Sequence, residues 1–206
     1  MKQTILKLMF CAMFFSFLLG CSDDDDNGTT TPPPINDELV GEVTESISLD
    51  SSIEYRLTGG YIIKAGASLT IPAGTVIKAE GGTAAFIGVE RGAQIFINGN
   101  STSPVVMTSA SATPSPGDWG GLVIAGDAPT NKGTNVTTEV GGLVYGGNNP
   151  NDNSGSIRYL RVEYTGATFS NDKEFNGVSL FGVGSQTTFA FVQSFNGGDD
   201  GIEFFG

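Results

Sequence analysis

Histidine is absent from all 206 residues. That removes the commonest general base near neutral pH, every Ser–His or Cys–His nucleophile pair, and most zinc sites. Cysteine occurs twice, as Cys11 and Cys21, too sparsely and too near the start to staple a fold with disulfides. Basic residues are scarce: 10 Lys and Arg stand against 22 Asp and Glu, for a formal net charge of −12. Such a surface repels phosphate backbones and excludes nucleic acid as a partner, whereas divalent cations or neutral sugars suit it better. No apolar run reaches the roughly 20 residues that a membrane-spanning helix needs. Past the first twenty residues no amphipathic helical stretch is found either, which excludes a helical bundle.

The start of the chain is a secretory signal. Lys2 and Lys7 flank an apolar stretch from Leu8 to Leu19, which ends on the small residue Gly20. A basic flank, a short apolar run and a small residue at its end make a cleaved export segment, residues 1–20. Its end, Leu18-Leu19-Gly20-Cys21, resembles the lipobox of bacterial lipoproteins. That resemblance implies that Cys21 becomes the N-terminus and carries fatty acyl chains such as palmitate. Each buried CH₂ contributes about 0.8 kcal/mol, so two or three chains hold a protein on a bilayer durably. An ordinary signal with an incidental cysteine is the other reading. Cys11 follows Phe10 inside the apolar run and has no such role. Cleavage removes two of the ten basic residues and none of the 22 acidic ones, taking the net charge to −14.

Residues 21–36 form a linker. Asp23 to Asp26 are four adjacent carboxylates that repel one another, and Pro32-Pro33-Pro34 favours extended chain. Acidic residues just behind the cysteine resemble the surface-export signal of Bacteroidota lipoproteins. This implies an outer membrane location facing the medium; a tether facing the periplasm is the alternative.

Residues 37–206 read as all-β, with 30 glycines in the chain and short Val, Ile, Phe and Thr-rich runs between Gly, Asn and Asp turns. Self-similarity sets the architecture. Gly66-Ala67-Ser68-Leu69-Thr70-Ile71 recurs 26 residues on as Gly92-Ala93-Gln94-Ile95-Phe96-Ile97. Each copy is followed by a second apolar run, Thr75 to Lys78 and Pro104 to Thr108. Asn176-Gly177-Val178-Ser179-Leu180-Phe181-Gly182 returns 24 residues later as Asp200-Gly201-Ile202-Glu203-Phe204-Phe205-Gly206. Steps of this size, carrying two or three short strands, predict the coils of a parallel β-helix, in which each coil covers the apolar edge of the last. Leu69 and Ile71 share one face, as do Ile95 and Ile97. A β-sandwich or jelly roll also uses short strands but does not require a recurring coil.

From Ala73 onward the chain has a wider resemblance. Gly117-Asp118-Trp119-Gly120-Gly121-Leu122, Tyr145 to Gly155, Ile157 to Tyr164 and Gly198-Asp199-Asp200-Gly201 are similar to a Bacteroidota family of surface lipoproteins with a right-handed β-helix of the pectate-lyase-like superfamily. The resemblance implies fold; few such proteins have a defined activity, and fold does not fix function. Members of that family run on well past this length, so the chain reads as an N-terminal piece. Its last coil, ending in Phe204-Phe205-Gly206, is then expected to be uncovered and prone to associate end to end.

Four candidate sites follow. Asp199 and Asp200 are neighbouring carboxylates of the kind polygalacturonases use as acid and base, but also ordinary turn formers or calcium ligands. Asn149, Asn151, Asp152 and Asn153 gather oxygen donors in one loop, either a polar turn or a calcium site. In the strand Tyr159 to Tyr164, Leu160 and Val162 are expected to point inward and Tyr159, Arg161 and Glu163 outward. Matching Gly166 to Gly198 adds Phe191, Gln193 and Phe195 to that outer face, over inward Ala190, Val192 and Ser194. This is a candidate sugar platform, unless the insertion from Ala167 to Phe175 covers it or the two faces are exchanged. Arg91, Arg158 and Arg161 are the possible lyase bases, without acids grouped beside them in the sequence. Trp119, the single tryptophan, reads as a packing anchor. Two functions remain open: a non-catalytic β-helix lipoprotein that binds or displays glycan, or a polysaccharide lyase or glycoside hydrolase with part of its site beyond residue 206.

Overall fold

The computed structural model describes residues 36–170 and 173–206. Cys21, the signal and the acidic and proline-rich stretch lie outside the described residues. Among the described residues every regular element is a strand. Thirteen strands join in one continuous sheet, all by parallel pairing, and two two-stranded antiparallel hairpins stand off it. This is the parallel β-helix that the repeats predict, and not a sandwich of antiparallel sheets.

The coil has three faces, here A, B and C. Face A stacks Ile47–Ser48, Ser68–Pro72, Gln94–Asn98 and the starts of Gly155–Glu163 and Thr188–Phe195. Face B stacks the start of Glu54–Ile63 on Val76–Ala79, Val105–Ser109 and the later halves of Gly155–Glu163 and Thr188–Phe195. Face C stacks the end of Glu54–Ile63 on Phe86–Val89, Leu122–Ala125, Val178–Phe181 and Ile202–Phe205.

Register puts like on like. Leu69 pairs with Ile95 and Ile71 with Ile97, the 26-residue step of the sequence repeat. Leu180 pairs with Phe204 and Phe181 with Phe205, the 24-residue step. Inside the coil Tyr55, Ile77, Met107 and Val162 form one ladder, and Ile63, Val89, Ile124 and Leu180 another. All are buried in a single core. Each such side chain contributes about 1.5–3 kcal/mol by leaving water, so the core accumulates coil by coil. Phe204 continues the ladder of Leu180 and is 73% exposed.

Two excursions interrupt the coils: residues 126–154 between faces C and A, and 164–170 with 173–177 between faces B and C. Both fold back over the outside of face C. Val140, Leu143 and Tyr145 from the first and Phe175 from the second pack on Val123, Ala125 and Phe181 in a second apolar cluster. Tyr145 lies 5.1 Å from Phe181 and Phe175 5.4 Å from Phe86, ring to ring. Leu122–Ala125 and Val178–Phe181 are therefore buried on both sides. Where the first excursion rejoins the coil, Gly155 holds φ +113° against the strand below. A β-carbon there would overlap the Ile95 carbonyl, so only glycine fits.

Candidate functional site

The strand Gly155–Glu163 turns from face A to face B at Tyr159, and Thr188–Phe195 does so at Phe191. Both residues have positive φ, 51° and 56°, a left-handed conformation that bulky side chains rarely adopt. The bend inserts one outward residue into the alternation. Ile157 and Phe189 share an inner rung, Arg158 and Ala190 the outer one beside it, and Leu160 and Val192 return inward. Ala190 therefore stands on the outer rung and not inside, because period-two counting does not carry through a left-handed corner. Leu160 and Val162 are buried as expected.

The bend brings two rings together. Tyr159 and Phe191 stack with centroids 4.4 Å apart and planes 9° from parallel. Each covers one face of the other, and Phe191 is still 62% exposed. The sequence puts Arg161, Glu163, Gln193 and Phe195 on the same outer face, and the register pairs Arg161 with Gln193 and Glu163 with Phe195. The Arg161 guanidinium lies 5.2 Å over the Phe195 ring and forms an ion pair with Glu163. Glu163 also accepts a hydrogen bond from Thr108 Oγ1 at 2.7 Å. Behind this face, buried Trp119 donates its Nε1–H to the Glu163 carbonyl at 2.7 Å. The described residues of the insertion do not bury these rings. Phe175 turns to face C, and Phe195 remains 43% exposed.

Two further residues belong to these surroundings: Tyr164, and Arg158, which the sequence offered only as a possible lyase base. Tyr164, with φ 59°, sets its ring edge-on to Phe195 at 6.0 Å; the aromatic at the end of the quoted strand was the available signal. Arg158, on the outer rung beside Tyr159, is exposed and is the cation next to the stacked pair.

Asp199 and Asp200 lie in the turn between Thr188–Phe195 and Ile202–Phe205, both exposed. The backbone around them is tied to the neighbouring coil: Gly198 N–H donates to the Thr165 carbonyl and Gly177 N–H to the Asp200 carbonyl, at 2.8 and 2.9 Å. In the 149–153 loop the side-chain oxygens are taken by the loop and by Gly184 and Ser185 of the neighbouring coil. Asn149 Oδ1 accepts from Asn151 N–H, Asn153 Oδ1 from Gly155 N–H, and Asn151 Oδ1 from the Ser185 hydroxyl. Asp152 is buried, and its Oδ2 accepts from Ser154 Oγ at 2.9 Å and Gly184 N–H at 3.3 Å. Among the described residues no three acidic side chains are grouped as a metal would require.

A different carboxyl stands out. Burial raises the Glu139 pKa above its ordinary range; Glu203 raises it further, Lys173 opposes, and Asp199 and Glu174 add smaller upward pushes. Glu203 itself accepts from the buried Asn176 amide at 2.7 Å. Nothing in the sequence pairs Glu139 with Glu203, because the excursion that carries Glu139 reaches face C only in three dimensions.

No curated protein and no solved structure matches the chain. The model of one family does, over residues 41–206, which is most of the chain. With thirteen strands in one parallel sheet and that match, the chain belongs to the pectate-lyase-like β-helix domain family.

Proposed function

We propose that this chain is a cell-envelope lipoprotein of the Bacteroidota type, held on the outer membrane by acyl chains on Cys21, facing the medium, whose β-helix binds glycan without cleaving it. The observation that carries the binding reading is the corner at Tyr159 and Phe191. A 62% exposed phenylalanine is held in a left-handed conformation, stacked at 4.4 Å on a tyrosine. Strained backbone clusters at ligand sites, and an exposed ring face accepts the C–H face of a sugar. Arg158, Arg161 and Gln193 stand next to it to hydrogen-bond hydroxyls. The lipid anchor and surface location rest on Leu18-Leu19-Gly20-Cys21 and on Asp23 to Asp26.

Mass spectrometry of the mature N-terminus, after expression in a bacterium that processes lipoproteins, should find acylated Cys21. An unmodified N-terminus elsewhere removes the anchor from the account. Protease added to intact cells should remove the domain, and changing Asp23 to Asp26 to alanine should protect it; equal protection of both forms would favour the periplasmic face. Affinity electrophoresis against a panel of neutral and acidic polysaccharides should retard the full-length chain in at least one gel. Migration unchanged in every gel contradicts glycan binding.

A second reading, a polysaccharide lyase or glycoside hydrolase of β-helix type, draws on Glu139. A carboxyl pushed toward its protonated form beside Glu203 is what a general acid requires. New reducing ends released from the retarding polysaccharide, and lost in Glu139→Gln, would establish it.

A further inference from the structure

A cleft of about 640 Å³ opens where face C turns into face A. This is a different corner from the A-to-B bend at Tyr159. Arg91 lines it from the turn of the coil, Asp127 from the start of the 126–154 excursion, and Thr134, Asn135, Gly147 and Asn148 from the arm that folds back. It is open to solvent and lined mostly by polar groups.

The walls are fixed by one side-chain and several backbone hydrogen bonds. Arg91 Nη1 donates to the Gly146 carbonyl at 2.6 Å, and Asn135 N–H reaches the same oxygen at 3.3 Å. Asn149 N–H donates to the Asp127 carbonyl at 3.0 Å, and Gly147 N–H to that of Ala128 at 3.1 Å. Gly147 lets the Asp127 carboxylate lie flat against the chain, where a β-carbon would overlap it. Asn135 holds φ 57° to close the bend.

The chemistry of the lining selects a ligand class. Arg91 places one of its five donors on Gly146. Its Nη1 stands 3.8 Å from Asp127 Oδ1, an ion pair too long for a hydrogen bond. A hydroxyl seated about 2.8 Å from each atom spans that gap, accepting from Arg91 and donating to Asp127. A cation would meet the guanidinium, and Asp152 Oδ2 is already bonded to Ser154 and Gly184. An anion would meet Asp127 and the acidic surface. Amides at Asn135 and Asn148 and the Thr134 hydroxyl supply both donors and acceptors, which suits groups that do both. We infer that this cleft binds a neutral polyhydroxylated ligand, a sugar unit, with Arg91 and Asp127 as its paired donor and acceptor. The site is independent of the aromatic corner and stands whether or not that corner binds glycan.

The test is protein-detected NMR on the ¹⁵N-labelled full chain, with the methyl glycosides of glucose, galactose and mannose as probes. Calcium chloride and sodium glucuronate are run as competitors of opposite charge. At least one neutral glycoside should move the Gly147 backbone amide and the Asn135 and Asn148 side-chain amides. Asp127→Ala should weaken that binding about tenfold or more while leaving the rest of the spectrum in place. Asn148→Ala, at an exposed side chain, provides a second variant with no folding role. Shifts at the Gln193 and Phe195 amides report the aromatic corner separately. The inference is overturned if none of the three glycosides moves the cleft signals, if calcium or glucuronate moves them and the glycosides do not, or if both variants bind as the native chain does.

Discussion

Tyr159 and Phe191 lie ring on ring, 4.4 Å apart, at equivalent corners of adjacent coils, each with positive φ. A left-handed backbone costs a side chain with a β-carbon about 1–2 kcal/mol, and an aromatic pair returns about 0.5–1.5 kcal/mol. At Phe191 alone that cost and that return nearly cancel, so this residue adds little to stability and leaves a ring in water. Asparagine adopts this conformation readily. Phe191→Asn should therefore change the unfolding free energy in urea by less than about 1 kcal/mol. A much larger loss would make the ring a structural element.

Trp119 connects the core to the same face. Its Nε1–H donates to the Glu163 carbonyl, and the Glu163 side chain holds Thr108 and Arg161. Trp119→Phe removes the donor from a buried carbonyl and leaves a partial cavity, a combined cost of about 2–4 kcal/mol. Circular dichroism in urea measures it. An unchanged midpoint would mean that the bond is replaced by water.

Glu139 gives a pH signature. Its pKa is raised in the folded chain, by burial first and by Glu203 next, so the folded state binds its proton more tightly than the unfolded state. Its contribution is most favourable at low pH and is lost as pH rises from the ordinary glutamate range through the raised folded value. Glu139→Gln should flatten that descent and raise stability near neutral pH. Asp50, lowered by hydrogen bonds from Ser52, has the opposite sign and acts only in stronger acid. Melting temperatures of native chain and Glu139→Gln, compared from pH 4 to 8, check this; parallel curves would contradict it.

Phe204 occupies an inner ladder position above Leu180 and is 73% exposed. Residues 36–206 prepared alone should sediment as associated species, and Phe204→Lys should shift them toward monomer. A native segment that is already monomeric would show that this edge does not template association.

The coil was legible in the sequence because parallel stacking repeats it: Leu69 over Ile95 and Leu180 over Phe204 differ by the repeat length itself. The outer positions of Arg161 and Glu163 followed from strand alternation, and those of Gln193 and Phe195 from one glycine match. Ala190 did not, since a left-handed residue at Phe191 breaks the alternation that counting assumes. Burial of Val123 and Phe181 on their outer side was not legible either, because it depends on where Leu143 and Phe175 fold back. Nor was the spending of the Asn149 and Asn153 oxygens on local backbone and of the Asn151 oxygen on Ser185, which only hydrogen-bond geometry reveals.

The measurement that tests the account most directly is a titration of the full-length chain and its Phe191→Asn variant with whichever polysaccharide retards the native protein, read by isothermal calorimetry. Loss of an exposed ring platform should weaken binding by about tenfold or more, with melting behaviour nearly unchanged. Equal affinity of the two forms at equal stability would contradict the corner of Tyr159 and Phe191 as the glycan site.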